Sequence, residues 1–88
     1  MNIIVKRNLR DYDAWKRMVS EKNELRQQYG SRGVTVHRSA KNPNEVYLVF
    51  AWDDAKRFEE YFHRSDVQKA LADSGTTEII PVKESFHL

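Results

Sequence analysis

His37 and Tyr47 are the side chains in this sequence best suited to acid–base chemistry. An imidazole titrates near neutral pH, so His37 can take a proton from an acidic substrate hydroxyl. A neighbouring phenol, Tyr47, can then orient the resulting anion. The competing assignment is a histidine at a polar subunit interface, which needs no chemistry. Arg7 or Asn8 adds a polar group to the same expected pocket, because one of two successive strand residues must face it. Val49, Ala51 and Tyr61 complete the candidate ligand contacts, Tyr61 pointing either into the pocket or to solvent.

The other reactive residue types point elsewhere. His63 falls at the end of a helical stretch, where a cation suits the helix dipole. His87 stands next to the last residue. Histidines at 37, 63 and 87 have no metal-ligand spacing, and no two share a helix face. There is no cysteine, which removes disulfides, thiolate metal sites and a thiol nucleophile together. Asp53-Asp54 reads as a helix cap and Glu59-Glu60 as an exposed helical face, so neither is a carboxylate dyad. No Gly-rich phosphate loop and no nucleophile elbow occur. No cofactor is expected.

Eighty-eight residues suit a single domain with a thin core. A chain of that size buries roughly 60 to 65% of its unfolded surface, so a partner subunit is a natural source of stability. The net charge of +2 arises from 15 basic and 13 acidic residues. That balance argues against a nucleic-acid binder. Arg7, Arg10, Lys16 and Arg17 read as a solvated basic face. No apolar run approaches the roughly 20 residues a membrane span needs. The start, "MNIIVKRNLRDYD", lacks a signal-peptide pattern. A cytoplasmic protein without membrane partners is the expectation.

These residues must be positioned by a small set of elements. Residues 2 to 8 read as a strand. Asp11 or Asp13 caps a helix running to about Gln28, with Tyr12, Trp15, Met18, Val19, Leu25 and Tyr29 as its apolar stripe. Gly30 ends it. Residues 33 to 38 alternate as a second strand, and "SAKNPNE" is a turn. "VYLVFAW", residues 46 to 52, is apolar on both faces. Asp53 or Asp54 caps a helix with Ala55, Phe58 and Phe62 inward. Ser65 caps a further short helix carrying Val67, Ala70 and Leu71. Residues 77 to 86 form a last strand containing Pro81, which confines it to an edge or a bulge.

The order β-α-β-β-α-α-β predicts an α+β, ferredoxin-like sandwich, a four-stranded antiparallel sheet with helices on one face. The first and third strands are then central. Pairing around the 39–45 turn sets Val36 against Leu48, Val34 against Phe50, His37 against Tyr47 and Thr35 against Val49. The first two pairs face the helices and the last two the open side. Tyr47, Val49 and Ala51 leave an apolar patch there, which a homodimer joined through the sheet faces would cover. A pocket between sheet and helices is expected in each half.

"RDYDAWKRM", "RSAKNPNEVYLVFAWDDAKRFEEYF" and "SDVQKAL…SG" together resemble the antibiotic-biosynthesis-monooxygenase-like proteins of the dimeric α+β barrel superfamily. The similarity extends over nearly the whole chain and leans on a small bacterial branch whose members are labelled cyclase or monooxygenase. The resemblance implies a face-to-face dimer. It also implies relatives of two kinds, cofactor-free monooxygenases of polyphenolic substrates and haem-degrading enzymes. The haem-degrading relatives use an asparagine late in the first strand, a tryptophan in the second helix and a histidine in the next. Asn8 matches the first, whereas Tyr61 and Ala72 stand at the other two. That pattern argues against haem degradation.

Three functions follow from the sequence. One is a cofactor-independent monooxygenase-like or polyketide-modifying enzyme acting on a small aromatic or phenolic compound. The second is a non-catalytic module binding a small molecule or a partner. The third, with least support, is haem binding.

Overall fold

The computed structural model describes residues 1–88. Strand β1 (Asn2–Leu9) leads to α1 (Tyr12–Glu21) and α2 (Asn23–Gln28). Strands β2 (Ser31–Arg38) and β3 (Glu45–Trp52) form a hairpin, followed by α3 (Ala55–Phe62), α4 (Ser65–Ser74) and β4 (Gly75–Ile80). The sheet order is β2-β3-β1-β4, with every pair antiparallel. The expected α+β ferredoxin-like arrangement is therefore present, with β1 and β3 central. The hairpin register also agrees, with His37 opposite Tyr47 and Val36 opposite Leu48.

One face of the sheet carries the core. Ile3, Val5 and Leu9 of β1 and Val46, Leu48 and Trp52 of β3 are buried against the helices. Strand alternation then sends Ile4, Lys6, Asn8, Tyr47, Val49 and Ala51 to the other face, which no helix covers. Trp52 anchors the core. Its indole Nε1 donates to the Tyr29 carbonyl at 2.8 Å. Its ring meets Phe58 edge-on at 5.2 Å and Tyr61 at 5.3 Å. The indole thus buries a large apolar surface without orphaning its one donor.

Local chemistry sets the element ends. Asp11 accepts from the Ala14 N–H and Asp54 from the Arg57 N–H, so these two, rather than Asp13 and Asp53, are the caps. The helix expected to run to Gln28 breaks at Lys22 into α1 and α2. Ser20 there turns its hydroxyl back onto the Lys16 carbonyl, a contact that weakens a helix. At the start of α4 the cap is Arg64, not Ser65, and it makes no side-chain capping bond. The last strand is Gly75–Ile80 rather than 77–86. It begins as soon as Gly75 reaches Leu9 and stops before Pro81, which has no N–H to give.

Candidate functional site

A cavity of about 50 Å³ lies between the helix-facing side of the sheet and the four helices. Val5, Leu48 and Phe50 form its floor, and Met18, Phe58, Phe62, Val67 and Leu71 close it from above. Two polar groups among the candidates read from the sequence enter this apolar wall, Arg7 from β1 and Tyr61 from α3. Arg7 is only 2% exposed. It therefore does not belong to the solvated basic face expected for it. It shares strand parity with Ile3, Val5 and Leu9, and that parity turns it inward.

The Arg7 guanidinium spans from the sheet to the end of α4. Its Nη2 donates to the Leu71 carbonyl at 2.8 Å and to Ser74 Oγ at 3.0 Å. Its Nε and Nη1 are buried with no partner in the protein. Burial pulls its pKa down to about 10, which still leaves it cationic at neutral pH. Arg26 of α2 reaches the same cavity. It too is buried, with Nη2 donating to the Val19 carbonyl at 2.7 Å and Nε without a partner. Burial pushes the Tyr61 phenol up, and the nearby Arg26 cation only partly offsets this. Tyr61 is thus a neutral O–H donor at ordinary pH.

The remaining sequence candidates are placed elsewhere. His37 and Tyr47 are cross-strand neighbours, yet both stand on the helix-free face and do not line the cavity. The Tyr47 hydroxyl donates to Glu45 Oε1 at 2.7 Å, and that hydrogen bond raises its pKa. Val49 and Ala51 share this face by the same alternation, and Asn8 is exposed on it. The cavity therefore collects Arg7 and Tyr61 and leaves out His37, Tyr47, Asn8, Val49 and Ala51. His63 is the cap residue of α3 and pairs with Glu59 at 2.7 Å. None of the three histidines lines the cavity.

Lys22, Arg26 and Thr77 are polar cavity residues that the sequence candidates do not include. Val19, Lys22 and Arg26 follow one another at i, i+3 and i+7, a single helical face. The apolar phase of Val19 therefore pointed to Lys22 and Arg26. Tyr61 was equally legible, since it stands three residues after Phe58 and next to Phe62.

The sequence model of the antibiotic biosynthesis monooxygenase family matches residues 10–73, and the chain belongs to that family. Among solved structures, it is similar to SnoaB, a cofactor-independent oxygenase from Streptomyces nogalater. The TM-score is 0.75 at 13% identity, over 96% of this chain and 93% of that one. A Bordetella bronchiseptica protein provisionally assigned as an antibiotic biosynthesis monooxygenase gives 0.77 at 16% identity, over 97% and 96%. A Nitrosomonas europaea protein with the same provisional assignment gives 0.70 at 16%, over 90% and 84%. No curated protein matches. At such identities the structural likeness establishes the fold, while chemistry has to be argued from the site.

Proposed function

We propose that this protein is a cofactor-independent, monooxygenase-like enzyme whose substrate, a small phenol, occupies the cavity between sheet and helices. The observation that carries the reading is a pair of buried guanidiniums, Arg7 and Arg26, in the same largely apolar cavity wall as the neutral Tyr61 hydroxyl. A cation in a dry site favours the phenolate over the phenol, and Tyr61 donates a hydrogen bond to the same oxygen. The electron-rich phenolate then reacts with dioxygen itself. At a methylene carbon conjugated to that oxygen, the methylene and one molecule of dioxygen become a ketone carbonyl and one molecule of water. One oxygen atom stays on carbon, and the two hydrogens leave with the other. The carbon is oxidised and dioxygen is reduced, so no further reductant is consumed. The protein's share is desolvation and stabilisation of the anion.

Size limits the substrate. About 50 Å³ is well below the roughly 150 Å³ of an apolar cavity that takes up benzene. One ring fits only if half-buried side chains such as Met18 and Phe62 move aside, and fused polycyclic compounds do not fit. The protein works as a homodimer in this reading, with the helix-free faces together. His37 and Tyr47 then belong to the subunit interface rather than to the chemistry.

Oxygen uptake with a panel of single-ring phenols carrying a benzylic methylene para to the hydroxyl tests the proposal. Wild type is expected to consume oxygen, with Arg7→Met slower by about a hundredfold and His37→Ala unchanged. The lack of any histidine in the cavity wall favours one rival, a binding module without catalysis. Phenol binding with no oxygen uptake would establish that rival and sink the oxygenase.

A further inference from the structure

The cavity wall contains three cations, Arg7, Lys22 and Arg26, and neither an aspartate nor a glutamate. Buried guanidinium groups are ordinarily paired with an acid, because removing a charge from water is costly. Arg7 and Arg26 are 2% and 4% exposed, and neither forms a salt bridge. Each spends its Nη2 on a helix carbonyl, which accounts for one edge of the group as a tie between elements. The donors at Arg7 Nε, Arg7 Nη1 and Arg26 Nε are left with no acceptor in the chain.

We infer that the cavity is built to receive the carboxylate of a small organic acid, with Arg7 and Arg26 as the residues that bind it. This deepens the reading of the cavity as the substrate site and rests on it. Three features favour a carboxylate over other ligand groups. It supplies the missing negative charge to a wall that has only positive ones. Its oxygens are acceptors only, matching a set of donors that lack acceptors. It is also small enough for about 50 Å³, and the ring of an aromatic acid follows it against Leu48, Phe50 and Phe58 with the same displacement of Met18 and Phe62. A phenolate alone would supply a single counter-charge to a wall with two buried guanidiniums, and an added carboxylate supplies the second.

The test is calorimetric titration of the protein with benzoate, with its neutral isostere benzamide, with acetate, and with inorganic phosphate, in chloride-free buffer. Benzoate is expected to bind roughly tenfold to a hundredfold more tightly than benzamide, the scale of a hydrogen bond to a charged group. Arg7→Met and Arg26→Met should each shrink that preference. Arg7→Lys, which keeps the charge but loses the guanidinium, should restore only part of it. Equal binding of benzoate and benzamide overturns the assignment, and so does phosphate binding as tightly as benzoate. Failure of both benzoate and the smaller acetate to bind at millimolar concentration does so as well. The oxygenase reading fails separately. Benzoate binding without oxygen uptake from any carboxylated phenol would remove the oxygenase and keep this site. Uptake equally fast with phenols lacking a carboxylate would remove this site and keep the oxygenase.

Discussion

Arg7 shows how much of a site strand parity can carry. In "NIIVKRNL" both Ile4 and Val5 are apolar, so the first half of the strand has no readable phase. Leu9 against Asn8 settles it, and Arg7 falls on Leu9's side. The same rule puts His37 and Tyr47 on the open face, apart from the pocket expected between sheet and helices, so the pair could not serve that pocket. Charge was the obscuring factor, since a lone arginine in a strand or helix is usually solvated. Asp66 offers a test at this scale. Arg64 donates to both of its carboxylate oxygens, at 2.9 and 3.0 Å, and that pairing lowers its pKa from 3.8 to about 2. A carboxylate held below its ordinary value adds stability above pH 3.8 and loses it as the pH falls toward 2. Asp66→Asn should therefore unfold at lower denaturant than wild type at pH 7, and the gap should close between about pH 4 and pH 2. A gap that stays constant over this range would show that Asp66 contributes by something other than its charge.

At the level of elements, the strand and helix order was legible because β1 and β3 are short apolar runs bounded by turn residues and α3 keeps its apolar residues at helical spacing. Boundaries were less so. α1 breaks two residues after a serine hydroxyl that folds back onto its own helix, and where β4 begins depends on a close approach that no periodicity records. At that approach α4 passes into β4 with no linker, and Gly75 turns the chain at φ +151°. A Cβ at this position would stand 2.0 Å from the Asn8 carbonyl oxygen, inside the β1–β4 ladder. Only glycine fits there on both counts. Gly75→Ala should cost about 2 to 4 kcal/mol in denaturant titration, the scale of combined backbone strain and steric overlap. A loss below about 0.5 kcal/mol would mean that β4 shifts freely, an outcome at odds with its six-residue register on β1.

For the whole molecule, the question is what covers the second face of the sheet. Thr35, Val49, Ile4 and Ile80 form one row across all four strands there, and His37, Tyr47, Lys6 and Glu78 form the next. An apolar row beside a polar one suits an isologous interface, in which each row meets its own copy or its neighbour. On the dimer reading, Val49→Lys puts two buried ammonium groups near the two-fold axis and should give a monomer by sedimentation at concentrations where wild type is dimeric. A monomeric wild type would contradict the dimer without touching the cavity, which one chain builds alone.

Everything proposed for the chemistry depends on ligand entering between sheet and helices, not between two sheet faces. Chemical-shift mapping of the ¹⁵N-labelled protein, titrated with a single-ring carboxylated phenol, separates these two locations. With ligand in the cavity, the Arg7 Nε–H resonance and the backbone amides of Tyr61 and Leu71 should shift together and saturate at one ligand concentration. Shifts confined to His37, Tyr47 and Val49, with Arg7 and Tyr61 unmoved, would place the ligand on the open face and contradict the cavity as the substrate site.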